Sequence, residues 1–241
     1  MILTIIRPGL TAIRRYWKPF LLIEICGLLA VIGYFKVDAV HHAFETLRGW
    51  KEAGGYLVAI LASGVSGAVV PEIAKTLVLG DTDFSRKRWD DLTFHFMIFA
   101  LIGAVAVPFY HALGTRFPSQ GLDFNAVIKM SIDQFLYSPF LSLPVIAFLF
   151  TTRECGWNPI KAFRQIGVDW FLRRVVSLLV ICWCYWIPMC LLMYSLPVGL
   201  TFVFAMFAQA AWGLLLLFAA GAPERSPAKP EDAPVVPVSA T

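Results

Sequence analysis

Residues 175–220 contain 46 consecutive positions without a single Asp, Glu, Lys or Arg. A bilayer core of about 30 Å is crossed by about 20 apolar residues in a helix. A run of this length is therefore two crossings, and Ser195-Leu196-Pro197-Val198-Gly199 supplies the turn between them. Helices satisfy their own backbone hydrogen bonds in lipid, so the run sets the class: an all-α integral membrane protein. Composition agrees. Of 241 residues, 59% are hydrophobic and 15% charged, where a soluble domain carries about a quarter charged. Mean hydropathy is +0.71.

The formal charge of +4 is too small to argue for nucleic acid as a partner, and the basic residues fall between the apolar runs. The five cysteines (Cys26, Cys155, Cys182, Cys184, Cys190) are an odd set, four of them inside apolar runs. They fit neither a disulfide framework nor metal spacing and read as apolar fillers.

Residues 1–53 form a basic N-terminal segment. Arg7, Arg14, Arg15 and Lys18 precede an apolar run at 19–35, interrupted by Glu24. No small-x-small cleavage site follows, so this run reads as an extra membrane helix rather than a cleaved signal. Residues 36–52 are an amphipathic connector, in which His41, His42 and Glu45 have a spacing that could hold a metal. Two histidines and one carboxylate without a further partner favour interfacial polar residues, and no metal or cofactor is expected.

Residues 54–220 carry the remaining spans, giving a bundle of five to six transmembrane helices. Gly55, Ala59, Ser63 and Gly67 recur every four residues, a stripe that allows close approach of another helix. Pro71, Pro108, Pro139, Pro144, Pro188 and Pro197 are expected helix kinks. Residues 221–241, rich in Pro and Ala, read as a disordered tail. With 19–35 spanning, fourteen Lys and Arg fall on one side and four on the other, and two lie within spans. The positive-inside rule then places both termini on the cytoplasmic or matrix side. Trp157 and Trp170 flank spans as interface anchors.

The functional signal lies in residues 129–150, a span that carries Lys129, Asp133 and Gln134. An Asp or Lys mid-helix costs about 2.5–3.5 kcal/mol on insertion scales and is kept where it meets a partner or water. Lys129 and Asp133 share a helix face, Asn125 is the expected cap, and Pro139 and Pro144 follow. Glu72 and Lys75 end the small-residue stripe and could pair with each other or reach the Asp133 helix. His111, beside Pro108, completes the candidate polar cluster of Lys129, Asp133, Gln134, Glu72, Lys75 and His111.

Between about Arg86 and Leu217 the order of residues resembles the family of the mitochondrial Mpv-seventeen protein and the 22-kDa peroxisomal membrane protein. Lys129-x3-Asp133-Gln134-x4-Pro139 is similar to the family's lysine, Asp-Gln and proline in type and spacing. Pro108-x2-His111 resembles its proline–histidine pair. Trp186, Tyr194, Leu196-Pro197 and Trp212 resemble its C-terminal aromatic ladder. The family's polar residues in that ladder fall here on Cys190, Met193 and Thr201, and the first 50 residues have no counterpart. The resemblance implies a four-helix core, a location in a mitochondrial inner or peroxisomal membrane (a bacterial inner membrane for a prokaryotic relative), and a role in small-solute permeability.

Two functions fit this pattern. One is a weakly selective channel or carrier for small solutes, its path lined by the polar cluster. The other is a scaffold whose intramembrane charges only pair internally. An enzyme is not expected, because His-Glu-x-x-His, Gly-x-Ser-x-Gly and a Gly-rich phosphate loop are all missing from the sequence. The expected partners are the lipid bilayer and small solutes, with a second copy of the chain left open.

Overall fold

The computed structural model describes the backbone of residues 2–80, 82, 85–119 and 121–221, and side chains within 17–216 apart from Asp81, Asp83, Phe84, Gln120 and Val198. Among the described residues every regular element is helical: α1 Ile2–Lys36, α2 Asp38–Leu79, α3 Arg86–Arg116, α4 Phe124–Glu154, a short α5 Pro159–Phe163, α6 Val168–Ser195 and α7 Val198–Gly221. Six of these are long and apolar enough to cross a membrane, the first of them over Trp17–Lys36. The protein is a membrane-spanning helical bundle. The disordered tail expected at 221–241 lies, beyond Gly221, outside the described residues, as do the side chains of Arg7, Arg14 and Arg15.

The core gathers Ile98 and Phe99 of α3, Leu143 and Ile146 of α4, Leu178 and Tyr185 of α6, and Ala210, Ala211 and Leu214 of α7. Alanines on α7 let its neighbours close in. The first helix belongs to this bundle: α1 packs along α7, Ile23 joins the core, and Gly27 lies against the Phe207 ring. Tyr185 ties the two together, with its hydroxyl 2.9 Å from Glu24 Oε1 and 2.8 Å from the Ala208 carbonyl oxygen.

α2 divides at Gly55, whose φ of 55° and ψ of −132° are open to glycine and strained for other residues. The amphipathic first part thus turns into the span that follows. Gly55 is exposed and meets nothing, so the four-residue stripe loses its first member. Ala59, Ser63 and Gly67 are buried. A side chain at Gly67 would strike the Phe99 ring, and one at Gly103 would strike Ser63, which shows how closely α2 and α3 approach.

Three stretches widen to π-helix: Val65–Val69 in α2, Asp133–Ser142 in α4 and Phe171–Val176 in α6. An α-helix drifts about 40° with each four-residue step. Bonding from i to i+5 offsets that drift, so Gln134, Ser138 and Ser142 of α4 face one cavity, while Phe135, Leu136 and Phe140 stay exposed. Pro139 has no N–H, and in this register the carbonyl it leaves unmet is that of Gln134. Trp183 Nε1 donates to that carbonyl at 2.7 Å.

The other prolines differ. Pro71 follows the π turn of α2, and the Gly67 carbonyl four residues back lies against Gly213, where any side chain would collide with it. Pro144 sits in the first turn after the α4 π segment. Pro108 and Pro188 lie within continuous helix. Pro197 ends α6 rather than bending it, with Leu196 extended before it. The cap of α4 is Asp123, accepting from Ala126 N at 2.8 Å, whereas Asn125 donates to the Pro118 carbonyl.

Candidate functional site

Asp133 lies on the tenth residue of α4, roughly 15 Å along the helix from its cap. It is 1% exposed and Gln134 is 2% exposed. Three side chains converge on Asp133 Oδ2: the hydroxyls of Tyr110 and Tyr194 donate at 3.1 Å each, and Cys190 Sγ stands at 3.4 Å. Hydrogen bonds to a charged acceptor contribute about 1.5–3 kcal/mol each, which offsets the cost of holding a carboxylate in lipid. Gln134 fills the same layer, its side chain facing Cys190 Sγ at 3.5 Å and Cys182 Sγ at 3.7 Å. Cys182 and Cys190 therefore act as thiol partners in a polar cluster rather than as filler.

Lys129 shares the face of Asp133 but does not pair with it. Its ammonium donates to Ser119 Oγ and stands 4.7 Å over the Tyr194 ring. Ser119 in turn donates to the Tyr194 carbonyl at 3.3 Å. Tyr194 thus links the two charges, with its ring beneath the cation and its hydroxyl on the carboxylate.

Below Asp133 opens a cavity of about 110 Å³. Its walls are Tyr110 and Phe99 of α3, Gln134, Tyr137, Ser138 and Ser142 of α4, Cys182 and Trp186 of α6, and Gln209 and Trp212 of α7. Ser63 of α2 forms part of the lining. Ser63 Oγ donates to the Phe99 carbonyl at 2.9 Å and accepts from Gln209 Nε2 at 2.6 Å, joining three helices. Tyr137 is stacked on Phe109 with centroids 4.3 Å apart. Its hydroxyl is buried without a hydrogen-bond partner.

Glu72 and Lys75 sit at the other end of the bundle and do not reach Asp133. Glu72 pairs with Lys75 and with Arg88 Nε, and Arg88 Nη2 donates to Thr76 Oγ1 at 2.8 Å. At the same end Arg153 pairs with Asp91, and Arg174 holds Glu154 through two bonds of 3.0 and 2.6 Å. His111 is exposed, and its neighbour Tyr110 is the residue that turns inward to Asp133. His41 faces the Tyr34 carbonyl at 3.4 Å, and Glu45 pairs with Arg48. Among the described residues no group of three His, Cys, Asp or Glu could hold a metal ion.

Sequence reasoning brought Lys129, Asp133 and Gln134 to this site and missed Tyr110, Tyr137, Cys190 and Gln209 as its members. Gln209 carried a usable signal, being the one amide side chain in residues 175–220. The chain matches no family model, no curated protein and no solved structure.

Proposed function

We propose that this integral membrane protein is a weakly selective channel or carrier for small solutes, and that its path runs through the cavity beneath Asp133. The observation that carries this reading is the lining itself: a carboxylate, two amides, three serines and an unpartnered phenol around about 110 Å³ inside a lipid-embedded bundle. Polar groups in such a place are retained where water or a solute meets them. The residue order resembling the Mpv-seventeen family points the same way.

A scaffold is the second reading, favoured by the charges at the far end. Glu72, Lys75 and Arg88, Asp91 with Arg153, and Glu154 with Arg174 are matched within the chain. Solute flux or single-channel current in liposomes containing only this protein separates the two. A channel or carrier gives flux above protein-free liposomes, and Asp133→Lys shifts its ion preference toward anions. Folded protein without flux supports the scaffold and sinks the permeation reading.

A further inference from the structure

The cavity's lining is uneven in charge and rich in rings, and that combination selects a solute class. Among its lining residues Asp133 is the one carboxylate, and none is Lys, Arg or His. Lys129 does not neutralise it, since its ammonium is turned to Ser119. The rings of Phe99, Tyr110, Tyr137, Trp186 and Trp212 line the same space, and aromatic faces attract cations. The three donors described on Asp133 meet Oδ2, and Oδ1 receives none of them. Tyr137 is 7% exposed and its hydroxyl has no partner. A buried, unmet hydroxyl is costly, so a group that supplies its hydrogen bond is favoured there.

We propose that this cavity binds a small primary organic ammonium, whose N–H groups bond Tyr137 Oη and Asp133 while its alkyl body lies against Trp186 and Trp212. The inference rests on the permeation reading and names the class of solute that the path accepts. The volume of about 110 Å³ matches on the order of four waters at about 30 Å³ each, which suits an alkylamine of a few carbons and excludes a nucleotide. A small carboxylate would face Asp133 with no cation to receive it. A neutral alcohol could bond Tyr137 but would gain nothing from the charge. A hard divalent cation requires six or more oxygen ligands, more than one carboxylate among phenols offers.

Isothermal titration calorimetry on the full chain in nanodiscs, with empty nanodiscs subtracted, tests this with n-butylammonium, n-butanol and butyrate. Butylammonium is expected to bind at least about tenfold tighter than butanol, the worth of one charged hydrogen bond, and butyrate to give no heat. Tyr137→Phe is expected to weaken butylammonium by about tenfold without lowering the unfolding temperature, because the lost hydroxyl has no protein partner to leave behind. Asp133→Asn is expected to abolish the preference over butanol. If that variant does not fold, Tyr137→Phe decides alone. Equal affinity for butylammonium and butanol, or unchanged affinity in Tyr137→Phe, overturns the proposal. Binding without flux leaves the ammonium site standing and overturns only permeation. Flux without ammonium preference does the reverse.

Discussion

Asp133 illustrates how a residue that lipid should reject is kept. Two phenols and a thiol serve one carboxylate oxygen, and none of the three carries charge at neutral pH by its ordinary chemistry. The compensation is therefore by hydrogen bonds, with the Lys129 ammonium across the Tyr194 ring. This makes Tyr194 the mediator between Lys129 and Asp133. In a double-mutant cycle, Lys129→Met and Asp133→Asn are expected to couple by about 0.5–3 kcal/mol. In a Tyr194→Phe background, which keeps the ring but removes the hydroxyl, the coupling is expected to fall below about 0.5 kcal/mol. Denaturant midpoints in mixed micelles report both, and coupling that survives Tyr194→Phe unchanged would restore a direct Lys129–Asp133 pair. The charged members of the site were legible because a charge in an apolar run has a cost visible in sequence. Its phenols and thiols were not, because Tyr110 and Cys190 are ordinary in a membrane helix until a partner from another helix is known.

At the scale of the element, proline and π-turn work together. Pro139 withholds an N–H within the widest stretch of α4, and Trp183 of α6 donates to the Gln134 carbonyl in its place. Trp183→Phe is expected to cost about 1–3 kcal/mol, since it leaves that carbonyl unmet. In a Pro139→Ala background the same change is expected to cost much less, because the alanine brings its own N–H. Equal costs in the two backgrounds would show that the indole does not substitute for the proline's missing donor. From sequence the prolines read alike as kinks, and the outcome divides by what lies around each. Pro139 falls in a widened turn that an indole completes. Pro188 is carried within continuous helix, and Pro197 terminates one. Four-residue repetition at Ala59, Ser63 and Gly67 was legible as a packing stripe, but Gly55 met a different demand, a positive φ that period alone does not reveal.

The whole molecule is polarised along the bundle axis. One end is laced by ion pairs among Glu72, Lys75, Arg88, Asp91, Arg153, Glu154 and Arg174. The other end holds the Lys129–Tyr194–Asp133 chain above the cavity. Six spans among the described residues, an even number, return both ends of the bundle to one side, and the excess of basic residues marks that side as the positive one. Single cysteines replacing Arg116 and Lys161 in a variant lacking the native five are therefore expected to label from opposite faces, with Arg116→Cys open to an impermeant maleimide from outside and Lys161→Cys only after permeabilisation. The reversed pattern would invert the orientation. Span number and charge bias were legible because hydropathy and basic residues are local properties of sequence. The separation of Glu72 from Asp133 was not, because it depends on the direction in which each helix runs.

On the permeation reading, water or a polar solute reaches the cavity beneath Asp133 within the bundle. Hydroxyl-radical footprinting of the unmodified protein in nanodiscs, read by mass spectrometry, tests it directly, since radicals form where water resides. Tyr137 lines the cavity and Phe140, on the same helix, faces outward with 71% exposure. Faster modification of buried Tyr137 than of exposed Phe140 is the expected result. Modification of Phe140 with Tyr137 untouched would mean a dry cavity and would overturn that reading.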